Sequence, residues 1–256
     1  LVWLNPSIIP SMAVRGVGPF QRKHPLRALA VFPSWDRLVI AVSPRLGANS
    51  MEELIAKKPK MRVSIAVNDC VDFAIKFLLK AHSISQNHFV RWGGKVDEVV
   101  RPSNPHRREG IVSGKLDMVI DEGMDSWGDV AVQHGMKFLS YSEPVLQKLE
   151  KYGFQRARLD HGRVDGINDP TTVVDFSGWP LVVHKNFPDD LAYHIVGVLE
   201  KIREEIPYDA TETPSMRQLC TNTEAGPLDF PLHPGAERYY QEKGYLQRVS
   251  SSQFRV

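Results

Sequence analysis

The chain has 256 residues, 42% of them hydrophobic, which is enough for one large or two modest α/β domains with a buried core. Its 32 Lys and Arg nearly cancel its 30 Asp and Glu, so no basic field points to nucleic acid and no acidic field to a cationic partner. No run of about eighteen apolar residues occurs; the longest candidate, 28–42, is interrupted by Pro33, Asp36 and Arg37, so no segment reads as a membrane-spanning helix.

The chain opens on Leu1 with no charged-then-apolar leader and is read as a processed or truncated product. Cys70 and Cys220 are too few to mark a redox compartment, and each reads as a small buried apolar residue.

In chain order, residues 1–4 are apolar and stop at Asn5-Pro6, a strand ending in a turn where Asn5 and Ser7 either face a ligand or cap the next segment. Gly16 and Gly18 lack the third glycine and the preceding strand of a dinucleotide loop. Residues 28–32 and 38–42 are two β-rich runs whose connection places Trp35 and Asp36 at a strand end. Ser50 with Glu53 has capping-box spacing and starts a helix to Lys57, because Pro59 forbids continuation. A strand over 62–67 and a helix over 71–81 form a βα unit with Asn68 or Asp69 as its expected N-cap. The amides at such a helix start can bind an anion, but Asp69 repels one unless it instead receives a ligand amino group.

Further on, the pattern predicts a strand over 89–92 that carries Trp92, a helix over 105–114, and a buried strand over 118–120 that empties into Asp121, Glu122, Asp125 and Trp127. In open α/β sheets ligands sit outside the carboxyl ends of strands, which makes this rim the centre of the reading. The alternative is that the acids cap a helix over 126–134 and Trp127 is core. Glu122 is too early for that cap; it must meet a ligand donor or an arginine such as Arg91 or Arg62.

A strand over 136–139 and a helix over 143–152 closed by Gly153 follow. Residues 156–172, with Asp160, His161, Asp165 and Asp169, match no calcium spacing and read as a solvated loop. Phe176 and Trp179 form an aromatic cluster at a chain reversal. Pro188 opens a helix expected to bury Leu191, Ile195, Val198, Leu199, Ile202 and Ile206, and the extended tail 214–234 ends in a helix over 235–243. No Gly-x-Ser-x-Gly elbow, His-Glu-x-x-His, Cys-x-x-Cys or phosphate loop is present, and the histidines are scattered singly; no cofactor, metal or catalytic residue is expected.

Asn5-Pro-Ser7, Phe32-Pro-Ser-Trp-Asp36, Arg62-Val-Ser64, Trp92-Gly-Gly94, Asp121-Glu-Gly123 with Ser126-Trp127, Asp175-Phe-Ser-Gly-Trp-Pro180 and Pro231-Leu-His-Pro-Gly-Ala236 occur in an order that resembles the TAXI family, the solute-binding proteins of TRAP transporters. The resemblance implies an α/β, two-lobed type II periplasmic-binding-protein fold, each lobe a mixed sheet flanked by helices, with the first lobe lacking its usual N-terminal strand and helix. On it, residues 1–43 and 181–256 form the first lobe and 44–180 the second, with crossings near 38–43 and 181–185. It implies an extracytoplasmic receptor that captures a small organic acid or amino acid in an interlobe cleft and delivers it to a TRAP-type permease, with no nucleic-acid partner. The ligand-binding set is then Asn5, Ser7, Trp35, Asp36, Asn68, Asp69, Trp92, Glu122, Trp127, Phe176 and Trp179. Two rival readings share the scaffold: an enzyme with Cys70 as nucleophile, and the effector-sensing half of a transcription regulator.

Overall fold

The computed structural model describes residues 1–160, 162, 164, 166, 167, 170–207 and 212–247. The chain forms two compact units, one from Leu1–Trp35 with Ser177–Val256 and the other from Asp36–Phe176. In chain order the first unit begins with β1 (Val2–Trp3), α1 (Ile8–Arg15) and β2 (Leu26–Phe32). The second contains β3 (Arg37–Val42), α2 (Met51–Lys57), β4 (Arg62–Ala66), α3 (Asp72–Ala81), α4 (Gln86–Arg91), β5 (Lys95–Val99) and α5 (Pro105–Val112). It continues with β6 (Met118–Asp121), α6 (Gly128–Gln133), β7 (Lys137–Phe138), α7 (Glu143–Tyr152), β8 (Arg156–Leu159) and β9 (Thr171–Asp175). The chain then completes the first unit with β10 (Trp179–His184), α8 (Asp189–Ile202), α9 (Met216–Cys220) and α10 (Pro234–Glu242).

The first unit is an antiparallel sheet in the order β1-β10-β2, with one parallel bridge from Ala28 to Leu232 that makes it mixed. Leu29, Phe32, Leu181 and Val183 of the sheet pack on Ala192, Val196 and Leu199 of α8, Leu219 of α9 and Tyr239 and Tyr240 of α10. Tyr240 donates to the Leu29 carbonyl at 2.9 Å, so the ring is anchored as well as buried. The second unit is a mixed sheet in the order β5-β4-β6-β3-β9-β8, with β7 also beside β3. Strands β5, β4 and β6 are parallel; β3 runs antiparallel to β6 and β9. Each unit is therefore a sheet flanked by helices, and the two-unit α/β architecture agrees with the expected fold class.

Local signals act where expected. Ser50 accepts from the Glu53 amide at 3.1 Å to open α2, while the Glu53 carboxylate takes the Asn49 amide at 3.1 Å. Gly153, at φ 108°, closes α7 in the left-handed conformation. Other expectations are corrected. The unit boundaries fall at 35/36 and 176/177, because β3 is paired on both edges inside the second unit and β10 is paired to β2 inside the first. Residues 89–92 are not a strand: the Ser85 and His88 side chains cap α4 and its last turn ends at Trp92. Part of the loop expected over 156–172 is strand β8, an exposed edge on which only Leu159 is buried. His161, Asp165 and Asp169 lie outside the described residues, and Asp160 pairs with Arg158 at 3.1 Å. α1, β5 and α9 carried no expectation.

Helix α8 buries only part of the expected face: Leu199 is in the core and Ile195 and Ile206 pack against it. Leu191, Val198 and Ile202 are exposed, and Ala192, Val196 and Leu199 face the core. The small face lets α10 approach closely: a Cβ on Gly197 would stand 3.1 Å from the Tyr239 ring.

Candidate functional site

The parallel strands of the second unit set its geometry. Strand β4 has β5 on one side and β6 on the other, so the chain reverses its direction of winding between β4 and β6; in open α/β sheets ligands sit outside the carboxyl ends of strands at such a point. The segment after β4 is Asn68-Asp69-Cys70 and the segment after β6 is Glu122-Gly123. Antiparallel β3 pairs Val39 with Asp121, which brings Asp36, at the amino end of β3, to the same end of the sheet. Three segments remote in sequence thus deliver Asp36, Asp69, Asp121 and Glu122 to one place.

Each is held by its backbone. The Asp36 carbonyl accepts from Arg37 Nη1 at 3.0 Å and from the Phe176 amide at 3.0 Å. Arg37 is itself fixed by a buried ion pair with Asp175 at 2.7 Å. The Glu122 amide donates to Asp121 Oδ1 at 2.8 Å, and the Glu122 carbonyl accepts from Trp127 Nε1 at 2.9 Å. Gly123 turns the chain at φ 58°, where a Cβ would also meet Pro102 at 2.8 Å. Asn68 takes the left-handed conformation at φ 57°, and Asp69 Oδ1 accepts from the Cys70 amide at 2.5 Å.

Asp121 and Arg107 are a fully buried ion pair, with Arg107 Nε donating to Ser64 Oγ at 3.0 Å and its guanidinium 5.8 Å from the Trp127 ring. That pair neutralises Asp121, and Asp36, Asp69 and Glu122 stand beside it. Glu122 is 5% exposed, and burial first, then the charge of Asp36, raises its carboxyl far above the carboxylate range. It keeps its proton and is hydrogen-bonded to Asp36. Cys70 stands beside the same acids; burial, then Asp69 and Glu122, push its thiol well up, so it has no thiolate character with which to attack a substrate. Among the described residues, no group of three or more His, Cys, Asp or Glu side chains is placed to hold a metal ion.

The expected site residues divide accordingly. Asp36, Asp69 and Glu122 are brought together, with exposed Asn68 beside them in the β4–α3 turn. The N-cap expectation fails, because α3 starts at Asp72 after Val71, with no side-chain cap. Trp127 and Phe176 are fully buried packing residues, and Trp127 also holds the Glu122 carbonyl. Trp92 follows α4 where the Lys95 amide reaches the Met61 carbonyl, at the amino end of β4 and β5, opposite the acids. Arg91 and Arg62 are not the arginine of the acid cluster; Arg107, carried on α5 and legible in no local motif, is.

Asn5, Ser7, Trp35 and Trp179 belong to the first unit, whereas Trp179 was expected in the second. Three of them carry buried polar atoms with no partner among the described residues: Asn5 Oδ1, Ser7 Oγ and Trp179 Nε1. Their segments adjoin, since the Leu4 amide donates to the Pro180 carbonyl at 3.0 Å and the Ser7 amide to the Ser177 carbonyl at 3.1 Å. Trp35 is half-buried.

Residues 122–244 match the NMT1-like family. Among solved structures, the chain is similar to Tv2483, crystallised bound to L-arginine, at 10% identity and TM-score 0.33, covering 69% of this chain and 54% of that one. A protein from Bordetella bronchiseptica RB50 is similar at 11% identity and TM-score 0.38, covering 79% of this chain and 55% of that one. The chain spans about half the length of these two structures. No helix among the described residues is long and apolar enough to cross a membrane.

Proposed function

We propose that this chain is a small-molecule receptor without catalytic activity, and that its ligand carries a cationic nitrogen. The observation that supports the cationic group is the protonated Glu122 hydrogen-bonded to Asp36 beside Asp69, outside the carboxyl ends of β4 and β6. Two carboxyl groups that share a proton in a dry setting accept an ammonium, amidinium or guanidinium group, which displaces the proton and pairs with the charge it leaves. A dicarboxylate would meet the same acids with like charge. Of the two expected ligand classes, the amino acid is therefore favoured over the simple organic acid.

On the first unit, Asn5 Oδ1, Ser7 Oγ and Trp179 Nε1 are an acceptor, a hydroxyl and a donor without a partner among the described residues, and water completes them. The resemblance of the ordered motifs to TAXI proteins supports an extracytoplasmic location and hand-over to a TRAP-type permease. The protonated state of Cys70 argues against the enzyme reading.

The test is calorimetric titration with L-arginine, L-lysine and putrescine against succinate, at constant ionic strength. Saturable binding of a cationic compound, weakened in Asp36→Asn, is the expected result; binding of succinate with no cationic compound bound overturns the proposal.

A further inference from the structure

A cavity in the same unit, apart from the acid cluster, has a mixed lining with a buried arginine. It is a groove of about 600 Å³ on one face of the sheet, floored by Arg62 and Ser64 of β4 and Lys95, Asp97 and Val99 of β5, and walled by α5. The volume is that of a small-molecule site. The parallel register pairs Arg62 with Lys95, Ser64 with Asp97 and Ala66 with Val99, so these side chains share a face by strand alternation.

Arg107 and Ser64 line this groove, and both are buried, at 1% and 0% exposure. The guanidinium spends Nε on Ser64 Oγ and Nη1 on Asp121, while Nη2 is buried without an acceptor among the described residues. An arginine presents its donors as a rigid fork, so the vacant nitrogen stands beside an occupied one in fixed geometry. Ser64 Oγ accepts from Arg107 and keeps its own hydrogen to give away. One unsatisfied N–H and one hydroxyl, both preorganised, match the two oxygens of a single carboxylate. The rim is mixed: exposed Arg62 and Lys115 stand with Asp97, Glu98 and Glu109, and Lys95 is paired to Asp97 at 2.6 Å. Such a rim tolerates one negative charge and offers acceptors to a tail that bears donors.

We infer that this groove is a second binding site, distinct from the acid cluster, for a small organic acid whose carboxylate is received by Arg107 Nη2 and Ser64 Oγ. Arg107 is then shared, since Asp121 on its far side immediately precedes Glu122. The groove lies wholly within the second unit and rests on none of the argument for the cationic ligand.

The test is a titration of the isotopically labelled protein with sodium acetate, against sodium chloride at the same ionic strength, followed by amide resonances. Saturable shifts of Ser64, Asp97 and Gly110 with acetate alone are expected, with the Asn68 and Asp69 amides far less affected. Ser64→Ala removes one donor, leaves the Arg107–Asp121 pair in place, and weakens acetate binding by about tenfold or more, the loss of one charge-assisted hydrogen bond. Shifts that match those of chloride, that do not saturate, or that persist unchanged in Ser64→Ala overturn the inference.

Discussion

The carboxyl group of Glu122 is hydrogen-bonded to the carboxylate of Asp36, joining the end of β6 to the start of β3 through one shared proton. The sign of the linkage follows. The folded protein holds the Glu122 proton from the ordinary value of 4.5 up to about 10, while the unfolded chain releases it. Across that window stability falls as pH rises. Glu122→Gln keeps the shape and hydrogen bond without a titrating proton. Its melting temperature should match or exceed that of the parent protein, with the gap widening from pH 5 to pH 9. Affinity for a cationic ligand should drop by about 1.5 to 3 kcal/mol. A uniform loss of melting temperature at every pH would make Glu122 a purely structural residue.

His82 titrates with the opposite sign. It is buried with Nδ1 3.7 Å from Glu52, and burial pushes it down to about 4 from its usual 6.5. The unfolded chain therefore binds a proton that the folded one refuses, and stability is lost as pH falls from 6.5 toward 4. The full loss is about 3 kcal/mol at 1.36 kcal/mol per pKa unit. Urea unfolding at pH 7 and pH 4.5 measures it: the pH dependence should be shallower in His82→Asn than in the parent, and equal slopes would remove His82 from the account.

Arg107 should matter more for stability than any other arginine considered. Arg107→Met leaves Asp121 buried and unpaired, which costs about 3 to 5 kcal/mol. The double variant with Asp121→Asn should recover a good part of that loss. Additive losses in the two single variants would mean that the two side chains do not depend on each other.

Cys70 should be chemically quiet. Its thiol is held protonated by burial and by Asp69 and Glu122, so iodoacetamide at pH 7.5 should label it far more slowly in the folded protein than after urea unfolding. Cys70→Ser should bind ligand as the parent does, and ester, amide and phosphate substrates should not turn over. Rapid labelling of the folded protein would reopen the nucleophile reading.

Tryptophan emission should report ligand through Trp35 and Trp179, which are half-buried, rather than through Trp127, which is fully enclosed. Trp179→Phe should remove a large share of the ligand-induced change and Trp127→Phe little of it. The reverse ranking would mean that binding repacks the core around Glu122.

What the sequence determined by itself is what short-range physics controls. Ser50 and Gly153 punctuated α2 and α7 because capping is decided within a few residues, and the continuous apolar runs of β3, β4 and β6 announced strands covered on both faces. The same locality put Asp121 and Glu122 at a strand end. Edge strands β5 and β8 stayed hidden because an edge is paired on one side and tolerates Lys, Asp and Arg, which leaves little apolar alternation to read. The buried face of α8 was read correctly at Ile195 and Leu199 but not at Leu191, Val198 and Ile202, because burial there is chosen by how closely α10 can approach, and small Ala192 and Gly197 face it instead. Only the tertiary structure could decide which tryptophans are core, and that Arg107 rather than Arg62 or Arg91 faces the acids. The meeting of Asp36 with Glu122 likewise needs the antiparallel register of β3 on β6, a long-range pairing that no window of sequence contains.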